Sequence, residues 1–316
     1  MELPFEKWHG NKNDFILCWF PHDQLTFAAL CRQAQTLCNR DGSGIGADGI
    51  LVLHQQHERD LLPHKLSIIN SDGSIAQTCG NGIRCAALSI LQHHQQADRK
   101  VDLPEGLILQ LESSSAHCRF LGRLETVRTG TLPLVAVDMG DPIIDSANSD
   151  YTAVKAFVAA KAQALALPEL LKDWHLVSLS NRHLVFFLDS IHPHLIRKIG
   201  PLMQASELWD GINVHICAAK SLLDLDRSQT AQSLSRPIEE LYDVLIWERG
   251  AGETQACGSG AAAIGAAAFS THLVGRNNWL GIDMPGGRLF VRQETAKDPV
   301  SLAGPGQLVY RGSLFI

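Results

Sequence analysis

Two stretches decide how this chain is read: Cys79-Gly80-Asn81-Gly82 and Cys257-Gly258-Ser259-Gly260. Each is a cysteine followed by Gly-x-Gly. Each follows a polar run (Asn70 to Thr78, Glu248 to Ala256) and precedes a run of small and apolar residues. After the first, Ile83, Ala87, Ile90 and Leu91 share one face at helical spacing, which predicts a helix from Gly80 to about His93. After the second, Gly258 to Phe269 is almost wholly Ala, Gly and Ile, which predicts a closely packed, buried helix. The two stretches lie in opposite halves of the chain. That predicts two related lobes facing one another, with the site between them and the two thiols as an acid–base pair.

Working outward, Phe15 to Phe20, Ile50 to Leu53, Lys65 to Ile69, Leu107 to Leu111 and Ala116 to Val127 read as strands, and Leu25 to Leu37 as a helix. Asp141-Pro142 breaks the pattern near the middle of the chain. Beyond it, Thr152 to Leu167 and Pro193 to Met203 read as helices. Leu176 to Ser178, Leu184 to Leu188, Val214 to Ala218, Val244 to Trp247 and Arg288 to Arg292 read as strands. Lys220 to Glu240 reads as a polar surface excursion. Strands and helices do not alternate strictly, so an α+β fold is expected rather than a doubly wound sheet. The expected division is an N-terminal lobe over 1–132, a C-terminal lobe over 133–303, and a last strand over 304–316 returning to the first lobe.

The 316 residues suit two domains. A net charge of −6 offers no basic footprint for nucleic acid. No apolar run reaches the length of a membrane span, and Met1 to Gly10 lacks the pattern of a signal peptide. A cytoplasmic setting is therefore expected, in which the eight cysteines are free thiols. Gly44-Ile45-Gly46-Ala47-Asp48-Gly49 matches a dinucleotide fingerprint in letters only. A polar turn precedes it and a strand follows, the reverse of what nucleotide binding needs. His54, His57, His64, His93 and His94 show no ligand spacing and are read as solvated surface. No metal and no cofactor is expected.

The chemistry follows from the helix starts. Glycines let backbone amides approach a ligand closely. The first N–H groups of a helix are unpaired, and its dipole is positive at that end. Such an end holds a carboxylate and stabilises a thiolate on the adjacent cysteine. Two such units on opposite sides of one carbon would remove an α-proton from one face and return one to the other. Cys18, Cys31, Cys38, Cys85, Cys118 and Cys217 sit in apolar runs or helical faces and are read as ordinary core thiols.

These motifs together resemble the diaminopimelate epimerases, amino-acid epimerases that work without pyridoxal. The resemblance is carried by Phe5 to Gly10 with Asn13-Asp14-Phe15, Gly44 to Gly49, Asn70 to Ser74, Cys79 to Cys85, Asn181 to His183, Asn213-Val214, Glu248 to Gly260, Met284 to Gly287 and Gly304-Pro305. It implies two pseudo-symmetric lobes, each a curved, mostly antiparallel sheet wrapped around a central helix, in a homodimer. It implies interconversion of L,L- and meso-diaminopimelate, on the route to lysine and peptidoglycan, with Cys79 and Cys257 as catalytic thiols. Asn13 then belongs to the substrate pocket, and Asn70, Asn181, Asn213 and Arg249 hold the distal amino acid. Glu248 and His183 flank the reacting centre or its amino group. Gly80, Asn81, Gly258 and Ser259 offer backbone N–H groups to the α-carboxylate.

The sequence departs from the family pattern at Lys12, where a glycine is usual, and at Ser180-Asn181-Arg182-His183, where the family has Gly-Asn-Pro-His. Three alternatives stand beside the main reading. A racemase of another amino acid, such as histidine, would share the chemistry. An isomerase of the phenazine-biosynthesis type would share the fold without the thiol pair. A non-catalytic binding protein would share only the scaffold.

Overall fold

Gly80 and Gly258 each open a helix that is buried along most of its length. The computed structural model describes residues 2–21, 23–55, 63, 65–96, 106–126, 130–179, 181–205, 208, 211–222, 234, 236–271 and 274–315. They form two units: Met1–Val137 with Gly304–Ile316, and Asp138–Thr230 with Leu234–Ala303.

The first unit runs β1 (Glu2–Gly10), β2 (Asn13–Pro21), α1 (Gln24–Cys38), β3 (Gly49–Gln55), β4 (Lys65–Asn70), β5 (Ile75–Ala76), α2 (Gly80–Gln96), β6 (Gly106–Gln110), β7 (Ser115–Thr126) and β8 (Gly130–Asp138). The final strand of the chain, β18 (Gln307–Phe315), pairs antiparallel with β1. From β1 the sheet continues β2, β3, β4, β6, β7, β8. Its pairings are antiparallel, parallel, antiparallel, parallel, antiparallel and antiparallel. The helix α2 touches β1, β2, β3, β4, β7 and β18, so the sheet wraps around it.

The second unit runs β9 (Ile143–Ile144), α3 (Tyr151–Leu165), β10 (Trp174–Ser178), β11 (Arg182–Phe187), α4 (Pro193–Gln204), β12 (Asn213–Lys220), β13 (Ile238–Glu248), β14 (Gly252–Glu253), α5 (Gly258–Ser270), β15 (Trp279–Met284), β16 (Gly287–Arg292) and β17 (Ser301–Pro305). From β10 to β17 the pairings repeat the series of the first unit, in the same order. Here α5 is the central helix, packed on β9, β10, β11, β12 and β16. Its small side chains permit this approach. A Cβ at Gly265 would lie 2.3 Å from Cγ1 of Val291. The fold is thus α+β, with two lobes of one topology, each a mostly antiparallel sheet around a central helix.

Two long strands of the first unit escape periodicity. The strand β1 has consecutive buried residues, including Glu6 and Lys7. Their charges hide a strand in the sequence because they are satisfied inside the lobe. Glu6 Oε1 accepts from Arg311 Nε at 2.9 Å and meets His93 Nε2 at 3.0 Å. Its Oε2 accepts from Trp8 Nε1 at 2.7 Å and Ser89 Oγ at 2.6 Å. One carboxylate therefore ties β1, α2 and β18 together. The second strand, β8, falls where the sequence was read only as the approach to a boundary.

Three expectations need correction. The one-faced reading of α2 understates its burial, since every residue from Gly80 to Ile90 is buried. His54 and His94 are not solvated. His54 is buried between Phe20 and Phe27 with its Nε2 2.9 Å from Ser67 Oγ, and His94 is buried on α2. His93 is half-buried and stacks on Trp19. His57 and His64 lie outside the described residues. The polar excursion starts and ends inside regular structure: Lys220 closes β12, with Nζ 3.1 Å from Asp243, and Ile238–Glu240 belong to β13. Most of the stretch between them lies outside the described residues.

Burial would raise the Glu6 carboxyl, but hydrogen bonds from His93, Ser89 and Trp8, with the charge of His93, bring it down to about 2. The folded carboxyl thus titrates below its unfolded value. Its contribution, at most about 3 kcal/mol, is fully present above pH ~4.5 and fades as pH falls toward 2. Glu6→Gln should lower the melting temperature at pH 7, and the gap to wild type should close in melts taken progressively from pH 5 to pH 2.

Candidate active site

Both cysteines occupy the position just before their helix. Gly82 N–H donates to Cys79 Sγ at 3.5 Å, and Ile83 N–H to the Cys79 carbonyl at 2.8 Å. In the second unit Gly260 N–H donates to Cys257 Sγ at 3.3 Å, and Ala261 N–H to the Cys257 carbonyl at 2.9 Å. Cys257 has the extended backbone of a cap, φ −132° and ψ 107°. The sulfur thus does what a Ser or Asp oxygen does at an ordinary helix start. Among the described residues, the N–H groups of Gly80, Asn81, Gly258 and Ser259 meet no protein acceptor. Each helix start therefore offers one cysteine sulfur and two open amide donors at the positive end of a dipole.

The last glycine of each motif answers to packing. A Cβ at Gly82 would lie 2.9 Å from Cδ2 of Leu51. A Cβ at Gly260 would lie 2.3 Å from Cε1 of His215, inside the ring's contact distance.

In the first unit the β1–β2 hairpin delivers Asn13. Gly10 pairs with Asn13, so the loop is Asn11-Lys12, with φ 54° and 64°. Both central residues are left-handed, as a two-residue type I′ loop requires. Glycine suits this backbone; Lys12 adopts it at a cost of roughly 1–2 kcal/mol. Asn13 Oδ1 lies 4.0 Å from Cys79 Sγ and accepts from Asn81 Nδ2 at 3.2 Å, while Asn13 Nδ2 donates to Asp48 Oδ2 at 2.6 Å. Asn81 Oδ1 in turn accepts from Arg84 Nη2 at 2.9 Å. Register sets Asn70 at the same end of the strands, because Gly49 stands opposite Asn70 on one side and Phe15 on the other. The exposed Asn70 side chain donates to Ser74 Oγ at 2.9 Å.

The second unit repeats this placement. Asn213 opens β12 beside His183, and Glu248 closes β13 next to it. Asn213 Oδ1 accepts from the backbone N–H of Arg249 at 2.9 Å, and the exposed Arg249 chain lies across Gly211. Glu248 accepts from Thr254 Oγ1 at 2.5 Å and is hydrogen-bonded to the Cys257 thiol. Ser259 Oγ is 3.6 Å from Cys257 Sγ, and Cys257 N–H rests on Met284 Sδ at 3.4 Å. Burial, then the charge and hydrogen bond of Glu248, raise Cys257 well above an ordinary thiol, against smaller opposing effects of Ser259 and the Gly260 N–H.

His183 is fully buried, so it does not itself border an open site. Its Nε2 meets Asn181 Oδ1 at 2.7 Å and its Nδ1 meets His215 Nε2 at 2.9 Å. An amide oxygen only accepts, so His183 carries its proton on Nε2 and His215 donates from Nε2. The chain His215 to His183 to Asn181 fixes the Asn181 amide with its two N–H donors turned away from the histidine. Burial holds both rings neutral: His215 falls to about 3, and His183 falls well below the usual range, helped by the neighbouring ring. Arg182, the departure from proline, is tied to Asp150. Ser180 lies outside the described residues.

Within each unit, then, the expected residues gather at the end of the strands where the central helix begins. Sequence reading passed over His215, Asp48 and Arg84. The first was signalled by its place two residues after Asn213, on the same face of a strand. The other two stood inside quoted motifs without an assigned role. Among the described residues no cluster of three or more His, Cys, Asp or Glu is arranged to hold a metal, and no helix is long and apolar enough to cross a membrane.

Two tests follow from this geometry. Gly260→Ala should force the His215 ring aside and lower stability by roughly 1–3 kcal/mol, read as a drop in the urea midpoint. Nitrogen-15 NMR of histidine-labelled protein should show His183 as the neutral Nε2–H tautomer from pH 8 down to pH 5; an imidazolium signal in that range would refute the relay.

The sequence profile of the diaminopimelate epimerases matches residues 5–131 and 175–309. A diaminopimelate epimerase of Pseudomonas syringae pv. tomato is 30% identical over 316 residues, covering 99% of each chain. One of Carboxydothermus hydrogenoformans is 29% identical, covering 99% of this chain and 100% of the relative. Among solved structures, a phenazine biosynthesis protein of the PhzF family from Bacillus anthracis superposes with a TM-score of 0.63 at 11% identity, covering 100% of both chains. A hydroxyproline epimerase from Agrobacterium vitis superposes with a TM-score of 0.56 at 11% identity, over 99% of this chain and 93% of the other. These two share the fold, whereas the sequence profile matches most of the chain: the chain belongs to the diaminopimelate epimerases, a family of isomerases.

Proposed function

We propose that this protein interconverts L,L- and meso-diaminopimelate by acid–base catalysis between Cys79 and Cys257, with no cofactor, as a cytoplasmic homodimer serving lysine and peptidoglycan synthesis. The observation that carries the reading is the duplicated helix start, a cysteine cap followed by two amide N–H groups without a protein acceptor.

In this mechanism one sulfur, as thiolate, takes the α-proton. The C–H bonding pair moves into the α-carboxylate, where open amides of the helix starts stabilise the added charge. The other sulfur, as thiol, delivers its proton to the opposite face of the carbon. The reaction leaves one thiol and one thiolate with roles exchanged and no net redox change. Gly80, Asn81, Gly258 and Ser259 serve through their N–H groups. Glu248 accepts from the α-amino group and holds Cys257. The two donors of the Asn181 amide, together with Asn13, Asn70, Asn213 and Arg249, hold the distal amino acid, so that only one stereocentre is presented to the sulfurs. His183 acts through Asn181. Arg182 is engaged by Asp150, which favours retention of the family's substrate over a racemase for another amino acid.

The test is incubation with L,L-diaminopimelate in deuterium oxide, followed by proton NMR and chiral chromatography. Formation of the meso isomer with deuterium at one α-carbon is expected. Cys79→Ala and Cys257→Ala should each lower turnover by roughly 10²–10⁴-fold. Near-normal turnover in either variant would sink the two-thiol mechanism, and exchange only with another amino acid would overturn the substrate assignment.

A further inference from the structure

One buried charge is not used by the mechanism above. Arg84 has no exposed surface. Its Nη2 donates to Asn11 Oδ1 at 3.0 Å and Asn81 Oδ1 at 2.9 Å, its Nη1 to the Gly80 carbonyl at 3.4 Å, and its Nε meets no acceptor. All three acceptors are neutral. Among the described residues no carboxylate forms an ion pair with it. A guanidinium buried without a counter-charge costs several kcal/mol, so the surroundings must supply an anion or bear that cost.

The charged groups around it narrow the choice. From β1 come Lys7 and His9, from β2 Asp14, and beside the hairpin Arg40 and Asp48. Asp14 is held by Lys7 at 2.8 Å and by Arg40, and Asp48 by Arg40 at 2.8 Å. These two cations and two anions cancel among themselves. Two thiols lie beside it: Cys85, the next residue, and Cys79, joined to it through the Gly80 carbonyl and through Asn81 and Asn13; a negative charge on either would act on Arg84. Cys85 is fully buried, and burial pushes its thiol up to about 12, so it stays protonated. Cys79 is only half-buried and already accepts the Gly82 N–H at the positive end of α2. The second lobe has the opposite arrangement, with the Glu248 carboxylate against Cys257.

We infer that Arg84 is the positioning residue that charges Cys79: in the substrate-free protein its buried guanidinium keeps Cys79 as the thiolate. The same residue steers geometry, since its bond to Asn81 Oδ1 turns the Asn81 Nδ2 toward Asn13, whose Oδ1 faces the Cys79 sulfur. The resting protein is thereby set to take a proton at Cys79. This inference rests on the two-thiol reading for its catalytic meaning, but the charge state of Cys79 is measurable without turnover.

The experiment is alkylation of the full-length, substrate-free protein by iodoacetamide from pH 5 to pH 10. Modification of the Cys79 peptide is followed by mass spectrometry in wild type, Arg84→Met and Arg84→Lys. In wild type the Cys79 midpoint should fall at least one pH unit below the ~8.5 of a free thiol. Arg84→Met should move it up by a unit or more, with alkylation at pH 7 about tenfold slower, and Arg84→Lys should keep it close to wild type. A wild-type midpoint at or above 8.5, or an unchanged midpoint in Arg84→Met, would overturn the inference. If Arg84→Met does not fold, the wild-type midpoint decides. Turnover retained in Cys79→Ala would refute the two-thiol mechanism while leaving the alkylation result standing, so the two failures are told apart.

Discussion

The rest of the structure depends on a sulfur accepting the backbone N–H three residues ahead of it at the start of a buried helix. Every helix start leaves amide donors without intrahelical partners. Here one donor in each lobe is taken by the cysteine, at 3.5 Å for Gly82 and 3.3 Å for Gly260, and the two before it are left open. That arrangement needs the third residue to be glycine, because Leu51 and His215 occupy the space a Cβ would fill. It also needs the helix to be held on all sides, so that its start cannot shift. The wrapped sheets provide that, with α2 and α5 as the cores of their lobes.

Such cores carry polar groups that a purely apolar interior would not tolerate, and each is answered by a specific partner. Glu6 collects donors from β1, α2 and β18 and so closes the first lobe around its helix. In the second lobe the buried pair His183 and His215 is neutral and aligned, because the amide oxygen of Asn181 accepts at one end and the chain of donors runs one way. The second network ends on a side chain of the candidate site, Asn181, as the separate Arg84–Asn81 chain of the first lobe ends on Asn13. A buried polar group is expensive when unsatisfied, which is why these amides are held in one orientation.

The lobes share a topology and differ in charge. The same series of strand pairings leads to the same end of each sheet, where Asn13 and Asn70 stand in one lobe and His183, Asn213 and Glu248 in the other. Beneath this likeness the first lobe buries a guanidinium near its cysteine and the second sets a carboxylate against its own. A duplicated scaffold thus sets its two sulfurs in unlike electrostatic surroundings.

The sequence alone determined the two helix starts and the membership they announce, because Cys-Gly-x-Gly before a run of small residues has few other structural uses. It also determined most strands and helices, since their apolar positions follow the period of the element. It concealed β1, whose buried Glu6 and Lys7 read as surface until their partners from α2, β18 and the Asp14 region are known. It equally misread His54 and His94 as solvated, since a polar side chain satisfied by distant neighbours looks the same in sequence as one satisfied by water. The partners of Arg84 and His215 were decided only by tertiary structure. Whether a guanidinium has a counter-ion, or an imidazole a donor, depends on residues dozens of positions away that the fold brings within about 3 Å.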